Sequence, residues 1–292
     1  MTQPDARTLD VPGASLVYDV RPASGEQRFP TLILAASPMD AGAFGTLASY
    51  FTDRTVVTYD PRGTGRGVRT DTTIESTPRL HADDLVTLID ALGTGPVDLF
   101  ATSGGAVNAL ELVSGNPELV RTLVAHEPPI AGILPDRDRM LAACADIHDT
   151  YLRSGMGPAM AKFITLVGWK GELSDAYFDA PAPDPSAFGL PTEDDGTRDH
   201  PLVGQNILSC TGYEPDFDVL SGASTRIVPA AGRESAEEMA GRGGAALAAR
   251  LGTDVTWFPG GHGGFLGDEY GMPGEPEGFA TVLREVLQPA RV

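Results

Sequence analysis

Six short apolar runs recur along the chain, each bounded by residues that are typical of turns. Runs that are continuous rather than alternating are typical of strands buried on both faces of a sheet. We therefore predict strands at TLILAAS (31–37), RTVVTYD (54–60), VDLFAT (97–102), RTLVAHE (121–127), TRIVPAA (225–231) and VTWFP (255–259). A hairpin with a Pro-Gly turn, between Leu9 and Val20, is predicted before them.

Segments with helical spacing alternate with these strands. In residues 80–92, apolar side chains recur every three or four positions from Leu85 to Leu92, and His81 is expected on an exposed face. Similar segments lie at 43–51, 104–113, near 235–251 and at 279–287. Alternating strands and helices predict an α/β fold with a mostly parallel central sheet, right-handed crossovers and flanking helices.

The pattern changes between the fourth and fifth of these apolar runs. Helical pieces such as MLAACADIHDTYL and PAMAKFITLVGW are separated there by a stretch rich in proline and aspartate, residues 180–201. We interpret residues 128–223 as an inserted helical cap. Residues 1–127 and 224–292 would then form one core domain.

The chain is strongly acidic, with 21 Lys and Arg residues against 40 Asp and Glu and a formal net charge of −19. Such a surface repels the phosphates of nucleic acids and anionic lipids, so neither nucleic acid nor a membrane is an expected partner. Hydrophobic residues make up 41% of the chain, which is enough for a sizeable core. We interpret the charge as favouring solubility rather than a particular activity.

Features of several protein classes are missing from the sequence. Cys144 and Cys210 are too few for a disulfide framework and lack the spacing of metal ligands. The first residues do not combine a basic segment with an apolar run, and no apolar stretch is long enough to span a membrane, so we expect a cytoplasmic protein. The GTGRG turn lacks the third glycine of a dinucleotide fingerprint, and we expect neither a cofactor nor a metal.

The segment VDLFATSGGAVNAL carries the strongest chemical signal. A buried strand leads straight into Ser103, two glycines follow, and a helix begins at once, which is the context of a nucleophile on a sharp strand-to-helix turn. Ala101 stands where the G-x-S-x-G pattern has its first glycine, and alanine is still small enough for that turn. The alternative is that Ser103 only caps the helix.

A late strand is followed by a histidine flanked by glycines, in WFPGGHGGF. A base on the loop after the last strand lies opposite a nucleophile of this kind and follows it in chain order. His262 is therefore the predicted general base, whereas His148 and His200 fall in the predicted cap. The alternative is an ordinary surface histidine.

A carboxylate is needed to hold that imidazole in one tautomer. Glu127 ends one predicted strand, and the two prolines after it would stop the strand there. Glu234 follows a later strand, one residue before Ser235, where the commonest arrangement would have an aspartate. Because the tips of adjacent strands converge on one crevice, either carboxylate can reach His262. We favour Glu127 and keep Glu234 as the alternative.

Backbone N–H groups are expected to hold the oxyanion that develops during acyl transfer. Gly104, directly after the nucleophile, would supply one of them. The loop after the first buried strand would supply the second. Ser37 is the candidate there; Pro38 has no N–H, and Met39 is the alternative.

The YDPRGTGRG turn, the Ser103 turn and the His262 loop follow one another in an order that resembles the α/β-hydrolase superfamily over nearly the whole chain. More narrowly, LVAHEPPI followed by LPD resembles the stretch of fungal zearalenone lactonases in which a glutamate after this strand is the triad acid; that position is Glu127 here. The segment ATSGGA loosely follows their C-S-S-G-A pattern. The resemblance implies an α/β-hydrolase fold and action on a lactone or another ester.

These residues predict a serine hydrolase that cleaves a small-molecule ester or lactone through an acyl-enzyme on Ser103. An amidase or a carbon–carbon bond hydrolase on the same three residues is an alternative, as is a catalytically silent ligand-binding protein of the same fold. Epoxide hydrolases and dehalogenases are disfavoured because they use an aspartate at the position of Ser103. The oligomeric state is open, and a homodimer is one form that the sequence allows.

Overall fold

Within residues 5–71 and 76–288, which the computed structural model describes, nine strands form one sheet. They are β1 (Asp5–Val11), β2 (Ala14–Arg21), β3 (Leu32–Ser37), β4 (Val56–Asp60), β5 (Val68–Arg69), β6 (Val97–Ser103), β7 (Val120–His126), β8 (Arg226–Gly232) and β9 (Thr256–Phe258). The order across the sheet is β1-β2-β4-β3-β6-β7-β8-β9, and β5 pairs with β2.

Most of the sheet is parallel. β2 pairs antiparallel with β1, β4 and β5. Every pair of neighbours along the order β4-β3-β6-β7-β8-β9 is parallel. The predicted mostly parallel sheet is therefore confirmed. The strand order reverses on the two sides of β3, because β4 lies on one side of it and β6 on the other. Ligands of open α/β sheets bind beyond the carboxyl ends of strands at such a reversal.

The described residues also form helices, and several of them cover the two faces of this sheet. The helices are α1 (Gly45–Ser49), α2 (Pro78–Leu92), α3 (Gly104–Gly115), α4 (Arg137–Ser154), α5 (Met156–Val167), α6 (Asp175–Phe178), α7 (Ile207–Thr211), α8 (Phe217–Gly222), α9 (Met239–Leu251) and α10 (Pro276–Leu287). Alternate side chains of β3 point to opposite faces, so Ile33 packs with residues of α2, α3 and α9, and Leu34 packs with residues of α1 and α10. The sheet is thus buried between two apolar layers, as its continuous apolar strands predict.

The segment between β7 and β8 has an apolar core of its own. Its helices α4, α5 and α7 bury Met140, Ile147, Leu166 and Ile207 against one another. Met239, at the start of α9, belongs to the same cluster and joins it to the rest of the molecule. The assignment of residues 128–223 to a separate cap stays a prediction.

The expectation that His81 lies on an exposed face is wrong. Its side chain is buried, and its Nε2 lies 2.9 Å from the Ser76 Oγ. Position 81 is one helical turn before Leu85, so it shares the apolar face of α2 that packs against the sheet. Burial, together with the charges of Arg62 and Arg69, lowers the pKa of His81 to about 3.

Two predicted helices have different bounds in the structure. The segment predicted as a helix at 43–51 consists of a 3₁₀ turn at Ala41–Phe44, capped by the Asp40 side chain, followed by the short α1. The helix predicted near 235–251 begins only at Met239, because Glu238 has an extended backbone. Ser235 is consequently left outside the helix.

No helix in the described ranges is long and apolar enough to cross a membrane. The same ranges contain no group of three or more His, Cys, Asp and Glu side chains that could hold a metal ion.

Candidate active site

Ser103 lies on a strained turn between β6 and α3. Its φ of 56° and ψ of −134° fall in a region that L-residues rarely adopt, at a cost of about 1–3 kcal/mol. Its side chain makes no capping hydrogen bond to the helix and is partly exposed. The reading of Ser103 as a simple helix cap therefore finds no support in the geometry.

The two glycines after Ser103 allow α3 to lie directly against β3. A Cβ on Gly104 would lie 2.7 Å from the Ser37 carbonyl oxygen, and a Cβ on Gly105 would lie 2.7 Å from the Ala36 Cα. Real Cβ atoms essentially never come this close to another heavy atom. Because the neighbouring atoms here belong to the backbone, they cannot move aside as the end of a flexible side chain could. Small residues are thus required here by packing, as the sequence pattern indicates.

Glu127 directly follows β7 and is fully buried. Its N–H donates to the Ala230 carbonyl oxygen at 2.9 Å, which extends the pairing of β7 with β8 by one residue. Its φ of 50° then turns the chain out of the strand. A second strained residue therefore stands at the same edge of the sheet as Ser103.

The imidazole of His262 contacts this carboxylate. Its Nδ1 lies 2.5 Å from the Glu127 Oε2, although the two residues are 135 positions apart in the chain. Burial alone would lower the pKa of His262, but the hydrogen bond and the charge of Glu127 outweigh it and raise that pKa above 6.5. The contact stabilises the imidazolium form, which is what a base needs while it holds a proton.

Two further donors hold the other oxygen of Glu127. The Gly232 N–H donates to Oε1 at 2.7 Å, and the Ser235 hydroxyl donates to the same atom. Burial alone would raise the pKa of Glu127, but the hydrogen bond and the charge of His262, followed by smaller contributions from His126 and the Ser235 hydroxyl, lower it to about 2. Glu127 is therefore an anion at neutral pH. Sequence reasoning singled out Ser235 only as the residue that replaces an expected aspartate and did not find this contact.

Glu234, the alternative acid, lies beside the loop that carries His262, with its Cβ 3.7 Å from the position of a Cβ on Gly261. Its side chain is exposed, and its N–H donates to the Gly260 carbonyl oxygen at 3.1 Å. The carboxylate that contacts His262 is the one of Glu127. Of the two candidates for the acid, the structure thus brings only Glu127 to the imidazole.

Ser37 pairs in register with Ser103 across β3 and β6 and is buried. Its Oγ accepts a 3.2 Å hydrogen bond from the Asn206 amide, which belongs to the segment between β7 and β8. In the same segment, the Cys210 Sγ would lie 3.4 Å from a Cβ on Gly104. Met39, the alternative to Ser37, packs with its side chain against the α1 and α10 layer. The segment between β7 and β8 therefore reaches the place where both oxyanion donors are expected, and sequence reasoning did not find Asn206.

A second histidine lies beneath His262. The ring centroids of His126 and His262 are 6.3 Å apart with the ring planes inclined by 30°, and the His126 Nδ1 lies 2.9 Å from the Thr102 Oγ1. His126 is fully buried among aromatic side chains, and burial lowers its pKa to about 4. It is neutral at pH 7.

Comparisons with known proteins agree with this architecture. The model of the alpha/beta hydrolase family matches residues 32–281. The uncharacterized hydrolase YraK of Bacillus subtilis is 31% identical over 266 residues, which cover 88% of this chain and 89% of YraK.

Solved structures are similar in fold. A hydrolase from Pseudomonas aeruginosa is 20% identical with a TM-score of 0.68, and the match covers 98% of this chain and 99% of that one. A thermophilic esterase from Thermogutta terrifontis is 18% identical with a TM-score of 0.66, covering 98% of both chains. The family match over most of the chain decides the assignment: this protein belongs to the alpha/beta hydrolase family and has its fold.

Proposed function

We propose that the protein is a serine hydrolase that cleaves a carboxylic ester or lactone of a small molecule, with Ser103 as nucleophile, His262 as base and Glu127 as acid. The observation that carries the proposal is the contact between the Glu127 Oε2 and the His262 Nδ1. When Nδ1 donates to a carboxylate, Nε2 is left as the acceptor for a hydroxyl proton. The strained turn at Ser103 supports the same reading, since a nucleophile of this kind sits on such a turn.

In the proposed reaction, the His262 Nε2 takes the proton of the Ser103 hydroxyl while Oγ attacks the ester carbonyl carbon. The tetrahedral intermediate collapses, the ester C–O bond breaks, and the imidazolium returns its proton to the leaving alkoxide. Water, deprotonated by the same imidazole, then attacks the acyl-enzyme; the acyl C–Oγ bond breaks, the imidazolium returns the proton to the Ser103 Oγ, and the carboxylic acid leaves. Glu127 stays ionised throughout and stabilises the imidazolium.

The oxyanion of that intermediate would be held by the backbone N–H groups of Gly104 and Ser37. Gly104 begins α3, so its N–H belongs to a helix N-terminus, which favours negative charge. Ser37 pairs with Ser103 in the sheet, which brings its backbone close to the proposed nucleophile. Met39 remains the alternative second donor. Loss of one such donor costs about 10² to 10³ in turnover.

The proposed substrate class follows from resemblances in sequence and fold. The resemblance of LVAHEPPI to fungal zearalenone lactonases favours a lactone, and the similar fold of an esterase favours esters in general. We propose that residues 128–223 act as a cap over the site, because Asn206 and Cys210 lie against Ser37 and Gly104.

The test is labelling of the purified protein with a fluorophosphonate probe, together with turnover of aryl esters and lactones of graded acyl length. We expect labelling and turnover in the wild type and neither in Ser103→Ala. The matched control is Ser114→Ala, which removes a serine hydroxyl at the far end of the same helix α3.

Full activity in Ser103→Ala would refute the proposal. An unlabelled wild type without turnover would indicate a silent ligand-binding protein. Labelling with turnover of amides but not of esters would keep the three residues and overturn the substrate class.

A further inference from the structure

The hydroxyl of Ser235 is buried against the acid of the proposed triad. The side chain is 1% exposed, and its Oγ donates to the Glu127 Oε1. The Gly232 N–H donates to the same oxygen at 2.7 Å. Gly232 ends β8, the neighbour of the strand that leads into Glu127, and Ser235 lies in the turn three residues later.

The backbone of Ser235 is itself fixed. The Glu238 N–H donates to the Ser235 carbonyl oxygen at 2.9 Å. A Cβ on Gly241 would lie 2.1 Å from that oxygen, so α9 lies directly against Ser235. The hydroxyl has two acceptors within reach, the Gly232 carbonyl oxygen at 3.5 Å and the nearer, charged carboxylate of Glu127, which is the stronger partner.

The two oxygens of Glu127 consequently have different surroundings. Oε1 accepts from Gly232 and Ser235, whereas Oε2 faces the His262 Nδ1 at 2.5 Å. Rotation about the last side-chain bond of a glutamate exchanges its oxygens or turns both away from their partners. Two donors on one oxygen oppose that rotation, because turning would leave buried polar groups unpaired.

We propose that Ser235 is a positioning residue for the hydrolytic reaction: its hydroxyl locks the carboxylate of Glu127 in the orientation that presents Oε2 to His262. This inference rests on the proposed function. Ser235 acts through Glu127 and, being buried, does not touch a substrate. Its removal should therefore slow the chemical step and leave substrate binding alone.

The test compares Ser235→Ala with Ser235→Thr and with the control Thr225→Val. Thr225 is a buried hydroxyl just before the opposite end of β8, and it donates to the Pro117 carbonyl oxygen at 2.7 Å. We measure kcat and KM with an aryl acetate, the rate of fluorophosphonate labelling, and the far-downfield ¹H NMR signal of the His262 Nδ1 proton.

In Ser235→Ala we expect kcat and the labelling rate to fall by about tenfold to a hundredfold. The free energy of a hydrogen bond to a charged group corresponds to a factor of this size in rate. We expect KM to stay within about twofold and the Nδ1 signal to move upfield. Ser235→Thr retains the hydroxyl and should recover most of the activity. Thr225→Val should match the wild type in all readouts.

A wild-type labelling rate and an unmoved Nδ1 signal in Ser235→Ala would overturn the inference. If Ser235→Ala does not fold, Ser235→Cys takes its place, because a thiol fills the same space and is a weaker donor. An unchanged kcat in that variant would overturn the inference equally. A wild type that is not labelled at all would instead refute the proposed function, so the two failures are distinguishable.

Discussion

Asn206 donates a buried 3.2 Å hydrogen bond to the Oγ of Ser37, 169 residues earlier in the chain. Ser37 ends β3 beside Ser103, whereas Asn206 belongs to the segment between β7 and β8. One bond therefore connects this segment to the strand end that carries a proposed oxyanion donor.

The first prediction concerns this bond. Asn206→Ala should lower the free energy of unfolding by about 1–3 kcal/mol, because the buried Ser37 hydroxyl loses its partner. Ser37→Ala keeps the backbone N–H and removes the same bond from the other side. Urea denaturation of both variants and of the double variant measures the coupling. If the stability losses of the two single variants sum to the loss of the double variant within about 0.3 kcal/mol, the two side chains do not interact directly.

The second prediction separates the two candidate acids. Glu127→Gln should lower kcat by about 10² to 10⁴, because an amide cannot stabilise the imidazolium and favours the wrong tautomer. Glu234→Gln is the matched control, since the same change is made on an exposed side chain after the neighbouring strand. It should stay within about twofold of the wild type. If Glu234→Gln lowers kcat more than Glu127→Gln does, Glu234 is the acid instead.

The pH profile of Glu127→Gln provides a further check on the same contact. Glu127 raises the pKa of His262, and the base must be neutral to accept the Ser103 proton. Removing the carboxylate charge should therefore move the acidic limb of kcat/KM to lower pH. A limb that stays in place would show that Glu127 does not set the titration of the base.

The sequence predicts the sheet well because the strands are buried on both faces and carry continuous apolar runs. β6, for example, is predicted at 97–102 and observed at Val97–Ser103. The pairing of Glu127 with His262 follows from strand order, since strand tips of a parallel sheet share one edge. The contacts of Ser235 with Glu127 and of Asn206 with Ser37 do not follow from the sequence, because each joins residues that are far apart in the chain and no sequence pattern marks them. His81 differs for another reason: a polar side chain on a helix predicts exposure, although this position belongs to the apolar face.

The third prediction concerns stability in acid. His126 and His81 are buried with pKa values of about 4 and 3. Unfolding frees each to bind a proton with an ordinary pKa of 6.5, so stability falls as the pH drops below 6.5 until the folded-state values are reached. At pH 5 each should cost about 2 kcal/mol relative to pH 7.5.

Urea denaturation of His126→Phe at the two pH values tests this. The variant should lose about 2 kcal/mol less than the wild type between pH 7.5 and pH 5. Thr102→Val removes the partner of His126 but keeps the imidazole, and it should retain the wild-type pH dependence. Equal losses in His126→Phe and the wild type would mean that His126 is already protonated in the folded protein at pH 5.

The fourth prediction concerns the close contact between α3 and β3. In Gly105→Ala the new Cβ would lie 2.7 Å from the Ala36 Cα, so the helix and the strand must move apart. Gly115→Ala makes the same change at the other end of α3, where the nearest atom would be the Arg79 Nη1 at 3.7 Å. Both positions lie in the terminal turns of α3, where the gain in helix propensity is at most about 1 kcal/mol, so a larger difference between the variants reports the clash.

We expect Gly105→Ala to be less stable than Gly115→Ala by about 1–3 kcal/mol or more, measured by urea denaturation. Because Ala36 precedes Ser37, the displaced strand should also shift the proposed oxyanion donor, and turnover should fall in Gly105→Ala but not in Gly115→Ala. Equal stability and turnover in the two variants would mean that β3 can move away from the helix at no cost. The position of Ser37 relative to Ser103 would then not be set by this contact.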